Sequence, residues 1–291
     1  MAENSPGPTD RGAMVLVRLV PGGPVLCDPR SPLLRGDDVG ALRGDGVFER
    51  FLVDAGAPRH LEDHLARMAR SAEMVELALP DPEVWEAAVC AGIRAWNGPA
   101  EWEMRMVCTR GPEEGGPPTA YLLGQQLTAG LLRQRRDGVA AVTIARGLPS
   151  GLAHEAPWLL LGAKTLSYAV NMAAKRWAES HGADDAIFVG ADGEVWESGT
   201  SAVVAAFGRR LVSPPTSVGI LDSISVARLF TAATGAGWDV SREGLDVDDL
   251  VDAEGLWLSS SLRFARVHTL NGKSLPDAVA DAELVALAAS S

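Results

Sequence analysis

Lysine is scarce in this chain. Of 26 basic side chains only Lys164, Lys175 and Lys273 are lysines, so any chemistry that needs a primary amine is confined to three positions. Cysteine occurs three times, at Cys27, Cys90 and Cys108, with no Cys-x-x-Cys and no histidine-rich neighbour. That spacing argues against a disulfide framework and a zinc site, so no metal is expected and a reducing cytoplasm fits best. No apolar run approaches the roughly 20 residues that cross a bilayer; the strongest, residues 158–163, ends at a lysine. The opening residues lack the basic start and apolar core of a signal peptide. Basic residues are also outnumbered, giving a formal charge of −12, and are interspersed with acids. Neither nucleic acid nor a membrane is therefore an expected partner.

What is present is a chain of 291 residues, 47% hydrophobic, long enough for two lobes. Residues 1–13 are expected to be a flexible arm. Strand-like runs at 14–20 and 47–53, a helix over 61–77, a second helix over 83–96 and a strand at 104–108 make a small α/β domain, placed at 14–130. In the first of these helices Leu61, Leu65, Met68, Ala72 and Val75 recur at helical spacing and form the inward stripe. Residues 110–118 form a loop rich in Gly and Pro, and 125–137 a connection into a second domain, 131–291. There the pattern gives a strand at 139–144, a helix over 165–180 and a hairpin pairing 186–189 with 194–197 across Gly190-Ala-Asp-Gly193.

The three lysines differ in setting. On the helix expected from Thr165, the apolar positions Leu166, Ala169, Val170, Ala173 and Trp177 share one face and Lys175 lies opposite, in water. Lys273 follows an Asn-Gly turn and is exposed. Lys164 follows an apolar run and precedes the helix. It is either a half-buried lysine reaching outward or a desolvated, nucleophilic amine. Glu197 ends a hairpin strand before the small-residue turn Ser198-Gly-Thr-Ser201. The segment Gly219-Ile-Leu-Asp-Ser-Ile-Ser225 leads into a helix, where free N–H groups suit an anion, although an ordinary cap by Asp222 or Ser223 explains it equally well.

Taken in order, Gly44-Asp-Gly-Val-Phe-Glu49, His64-Leu-Ala-Arg67 with Ser71-Ala72, Lys164-Thr-Leu-Ser-Tyr168, Asp184-Asp-Ala-Ile-Phe-Val189, the Glu197 motif, Gly219-Ile-Leu221 and Leu258-Ser-Ser-Ser261 resemble the fold type IV pyridoxal-phosphate enzymes. This group includes branched-chain and D-amino-acid aminotransferases and 4-amino-4-deoxychorismate lyases. The resemblance implies a two-lobed α/β (α+β) fold like that of D-amino-acid aminotransferase, with a small N-terminal α/β lobe and a larger, β-rich C-terminal lobe. It also implies pyridoxal 5′-phosphate as cofactor, a small-molecule amino substrate and a homodimer. Lys164 would carry the cofactor as a Schiff base and shuttle protons. Glu197 would pair with the pyridine nitrogen, and Arg67 would contact the phosphate. Ile224 and Ser225 by main chain, and Ser225 and Ser261 by hydroxyl, would complete the phosphate cradle.

Within the group, residues 164–172 followed by Gly182-Ala-Asp-Asp185 look most like the bacterial aminodeoxychorismate lyases, which eliminate pyruvate to leave 4-aminobenzoate, a folate precursor. The chain departs from the family pattern at Ala202, Ser223 and Val226. It also has Arg50 where the lyases tend to have threonine. Arg50 is suited to binding a substrate carboxylate, which a branched-chain or D-amino-acid aminotransferase needs equally. Together the departures also leave room for a catalytically degenerate homologue.

Overall fold

The computed structural model describes residues 12–291, so most of the expected N-terminal arm lies outside the described residues. In chain order the first half runs β1 (Met14–Val20), β2 (Gly23–Cys27), α1 (Val39–Arg43), β3 (Gly46–Asp54), β4 (Ala57–Pro58), α2 (Leu61–Met74), α3 (Pro82–Ala95), β5 (Glu101–Thr109) and β6 (Thr119–Gln126). The strands form one antiparallel sheet in the order β2-β1-β6-β5-β3-β4. Its inner face packs Val17, Phe51, Met104 and Leu122 against Met68 and Ala72 of α2 and Trp85 and Val89 of α3. Helix α2 stops three residues before the predicted end, at Met74, where Glu76 turns to a positive φ of 51°.

The second half runs α4 (Ala129–Asp137), β7 (Val139–Ala145), α5 (Leu152–Glu155), α6 (Ala169–Ser180), β8 (Asp185–Val189), β9 (Val195–Ser198), β10 (Ala202–Phe207), β11 (Arg210–Ser213), α7 (Ile224–Gly235), β12 (Asp239–Arg242), α8 (Val247–Asp252), β13 (Gly255–Ser260), β14 (Arg263–Leu270), β15 (Lys273–Ser274) and α9 (Asp281–Ser290). Its nine strands form a mixed sheet, β12-β11-β10-β13-β14-β7-β8-β9, with β15 beside β14. The predicted hairpin is present as β8 and β9. The stretch read as a plain connection is instead the end of β6 followed by α4, which Thr128 caps by accepting from the Leu131 N–H.

Two further expectations are corrected. The helix expected from Thr165 begins at Ala169, because residues 164–166 are extended and bonded to β3: Phe48 N donates to Lys164 O at 3.1 Å and Leu166 N to Gly46 O at 2.8 Å. Gly46 permits this approach, since a Cβ there would lie 2.8 Å from Leu166 Cδ1, besides 2.6 Å from Cys108 O of β5. The buried face of α6 also differs from the predicted one. Ala174 and Ala178 face the sheet beside Ala186 and Phe188, while Val170, Met172 and Trp177 are exposed and Lys175 is half-buried near Glu179. Close packing on a sheet selects the smallest side chains of the helix, which periodicity alone does not register.

A buried ionic knot ties β14 to β8 and α4: Arg263 pairs with Asp185, donates to Gln134 Oε1 at 2.5 Å and to Ser201 Oγ at 3.1 Å. Removing one partner of such a pair strands the other charge. Asp185→Ala is expected to destabilise the fold by about 3–5 kcal/mol, with urea denaturation as the check; an unchanged midpoint would mean Arg263 finds another anion.

Candidate active site

A cavity of about 530 Å³ opens between the two sheets. It is lined by Arg67, Lys164, Glu197, Ser225, Ser261 and Arg50, six of the seven residues singled out in the sequence. Ile224, the seventh, is buried at the start of α7 beside it. The structure thus brings together residues spread over more than 200 positions.

Lys164 is fixed by its backbone on both sides. Its N–H donates to Ser71 Oγ of α2 at 3.0 Å and its carbonyl accepts from β3. Its Nζ lies 4.4 Å from the centroid of the Phe48 ring and 5.6 Å from that of Tyr168. Burial lowers its pKa to about 8, against the opposing pull of the Glu49 and Glu197 carboxylates. Enough neutral amine is therefore present near neutrality to act as a nucleophile.

Glu197 sits on β9 where the strand runs out into the Ser198–Ser201 turn. Burial raises its pKa to about 7, although Lys164 and the Leu221 N–H both favour the charged form. Leu221 is presented by the turn at Gly219, whose φ of 104° and close approach to Leu161 favour a residue without Cβ. Two residues on, Ser223 caps α7 by accepting from the Val226 N–H at 3.3 Å. The cap and the anion site are not alternatives here. The N–H groups of Ile224 and Ser225, in the first turn, have no intrahelical carbonyl and remain available for an anion beside the cavity.

Arg67 is held by a residue to which no role was assigned from the sequence. Its Nε and Nη2 donate to the two oxygens of Glu49, each at 2.7 Å, and its Nη1 donates to Asp222 O at 3.0 Å. Glu49 has no exposed surface; burial pushes its pKa up, but Arg67 and then His64 pull it down to about 2. His64 Nδ1 lies 2.6 Å from the same carboxylate, and its Nε2 faces Ser261 Oγ at 3.3 Å. Sequence reasoning also missed Arg105 and Arg146 on the cavity wall. A charged residue flanked by Met104 and Met106 in β5 was the available signal for Arg105.

The chain matches the family model of amino-transferase class IV over residues 46–269. It belongs to that family. It is 42% identical over 261 residues to the bifunctional aminodeoxychorismate lyase / D-amino acid transaminase of Mycobacterium tuberculosis, covering 86% of this chain and 90% of that one. Among solved structures, the PLP-bound form of a hypothetical aminotransferase from M. tuberculosis superposes with a TM-score of 0.91 at 41% identity, covering 95% of this chain and 98% of that one. A fold IV transaminase from Curtobacterium pusillum follows at 0.88 and 37%, with the same coverage. The two-lobed fold type IV expectation is therefore met, and the protein is a pyridoxal-phosphate-dependent enzyme acting on small amino or keto acids.

The cavity fits that cofactor by the chemistry of its walls. It offers a shielded amine of lowered basicity, a buried carboxylate and a cluster of anion donors. Acylation of the apoprotein by acetic anhydride should modify Lys164 with a rate that rises with pH through about 8. In Glu197→Gln the midpoint should move lower, because the carboxylate that favours the ammonium is gone. Mass spectrometry of the Lys164 peptide is the check, and a midpoint near the ordinary lysine range would refute the desolvation argument.

Proposed function

We propose that this enzyme is a 4-amino-4-deoxychorismate lyase, releasing pyruvate and 4-aminobenzoate, and that it also transaminates D-amino acids. The observation that carries the proposal is the arginine wall facing Lys164. Arg50 and Arg105 stand directly opposite each other across β3 and β5. Both Nε atoms are buried without a hydrogen-bond partner among the described residues. Arg50 is paired with Glu103, and Arg146, just past β7 of the other sheet and over the Phe188 ring, lines the same cavity. Like charges in cross-strand register repel, so the cavity favours an anionic ligand. Aminodeoxychorismate carries two carboxylates and an amine.

The bifunctional M. tuberculosis relative supports both activities. An aminodeoxychorismate lyase of Bacillus subtilis, 24% identical over 261 residues, is also similar. Branched-chain aminotransferase is the weaker transaminase reading, because three arginines suit a second carboxylate better than an aliphatic side chain. A place in folate-precursor synthesis in the cytoplasm accompanies the lyase reading.

In this reading Lys164 anchors the cofactor, Glu197 presents its carboxylate to the pyridine nitrogen, and Arg67, the Ile224 and Ser225 N–H groups and the Ser225 and Ser261 hydroxyls take the phosphate. When bound, pyridoxal phosphate supplies an electron sink conjugated to the substrate amine. Lys164 Nζ then takes and returns the proton at the reacting carbon, which its lowered pKa suits near neutrality. Arg50 and Arg105 orient the substrate carboxylate. Phe48 and Tyr168 keep water from the amine. The departures at Ala202, Ser223 and Val226 leave this set of groups intact: Ser223 caps α7, while Ala202 and Val226 are buried.

Incubation of the cofactor-loaded enzyme with aminodeoxychorismate should release pyruvate and 4-aminobenzoate in equal amounts, and Lys164→Ala should abolish both. Arg105→Ala is expected to raise KM by about tenfold or more through the loss of a charge-assisted contact. Absence of release, with transfer of nitrogen from D-alanine to a keto acid intact, would leave the transaminase alone. A homodimer is also part of the proposal, supported by the exposed Trp158, Leu159, Val170, Met172 and Trp177. Light scattering should give twice the 30.6 kDa chain mass; a monomer would refute it.

A further inference from the structure

The contacts of His64 fix which way the Ser261 hydroxyl can point. Glu49 is ionised and accepts from Arg67, so the 2.6 Å contact to His64 requires Nδ1–H as donor. In the neutral ring Nε2 is then a bare acceptor, and Ser261 Oγ, 3.3 Å away, turns its hydrogen toward the ring. A hydroxyl has one hydrogen. If it donates to His64, it meets a phosphate oxygen lone pair to lone pair. Ser261 can donate into the cavity without leaving Nε2 unpaired only when Nε2 carries a proton and becomes the donor to Oγ.

We propose that His64 is a positioning residue of the phosphate cradle, taking up a proton from solvent as the phosphate binds and thereby reversing the Ser261 hydroxyl. The inference rests on the cofactor reading above. The proton goes to Nε2, the Nδ1–H bond to Glu49 is kept, and no other bond is made or broken. The groups facing the ring set the balance. Glu49 on β3 favours the imidazolium; Arg67 on the same helix and Lys164 oppose it, and burial opposes it most. Behind the ring a second cavity of about 200 Å³ is lined by His60 and by Arg59, Arg135, Arg228 and Arg263, each arginine paired with a carboxylate (Asp54, Glu101, Asp63 and Asp185), so this wall adds little net charge. The free site therefore holds His64 neutral. A phosphate dianion brought against Arg67 and Ser261 tips the balance, because it offsets the cations that oppose protonation.

Binding and protonation are then linked. Affinity for the phosphate is highest where His64 can be charged and falls as pH rises through the bound-state pKa of the ring, by up to about tenfold per pH unit. The probe is pyridoxamine 5′-phosphate, which binds without a covalent bond to Lys164. In ¹⁵N-histidine-labelled apoprotein, the His64 ring, assigned through its contact with Phe51 at 5.4 Å between centroids, should carry one proton when free. It should carry two when the probe is bound, and one again with pyridoxamine lacking the phosphate.

Fluorescence titration between about pH 6 and 9 adds a second readout. His64→Gln places a permanent N–H donor near the position of Nε2, so its affinity should lose the steep part of the pH dependence. His64→Asn keeps the donor to Glu49 but not the link to Ser261, and its affinity should fall at every pH. A ring that stays neutral beside bound probe, or wild-type and His64→Gln slopes that coincide, overturns the inference and leaves the cofactor reading intact. Failure of wild type to bind the probe overturns both. If the variants do not fold, the spectrum of the wild-type ring decides alone.

Discussion

A carboxylate sealed from water cannot stand alone, and Glu49 at the centre of β3 imposes that constraint on everything around it. Ionised and buried, it costs several kcal/mol of desolvation unless its acceptor sites are filled. Arg67 fills them bidentately and His64 takes a further position, so two residues one helical turn apart on α2 are locked to a single strand residue. Once α2 is docked this way, Ser71, one turn beyond Arg67, faces the backbone N–H of Lys164. The orientation of a helix, of the Arg67 guanidinium and of the lysine segment thus follows from one buried charge. Its depressed pKa means that this contribution is complete above the ordinary glutamate range and is lost as pH falls toward about 2.

The second consequence is that the buried Lys164 amine belongs to one half of the chain and its support to the other. Residues 164–166 come from the C-terminal half but complete the free edge of β3 at Gly46 and Phe48. An extended edge segment has little freedom to shift, because each register step would break both main-chain bonds. The side chain of Lys164 therefore projects at a fixed height between Phe48 and Tyr168. Desolvation by those walls, with Glu49 and Glu197 acting from a distance, sets its basicity. Positioning and activation have the same structural cause.

Much of this was legible in the sequence because the residues gathered in the cavity are of types that are rare or locally conspicuous. With three lysines, two of them in polar settings, Lys164 stood out before any geometry was known. The motif order carried the fold. Glu197 and the Gly219 turn were marked by the small residues around them. What was not legible had long-range causes. The extended state of 164–166 depends on an edge offered by residue 46, more than a hundred positions away, and local helical pattern cannot report it. The true face of α6 depends on how closely it approaches the sheet, which selects Ala174 and Ala178 over larger apolar neighbours. Glu49 and His64 looked like ordinary members of a motif, since their roles lie in contacts with each other and with Arg67 and Ser261.

Arg50 is the position where local and tertiary information meet most usefully. As an isolated departure from the lyase pattern it weakens that reading, since a hydroxyl is replaced by a guanidinium. In the sheet it stands opposite Arg105 and pairs with Glu103 as a partial counter-charge, Gln125 holding the other oxygen of that carboxylate. Two facing cations with one buried anion, paired to Arg50 alone, leave a net positive wall, which costs stability in the free protein. A fold retains such an arrangement at low cost only where a ligand supplies the missing negative charge. The same substitution that removes the threonine thus strengthens the case for a substrate with carboxylates. On the proposed function it would also let elimination from aminodeoxychorismate and transamination of an amino acid share one cavity, since both substrates would present an amine to Lys164 and a carboxylate to the arginines.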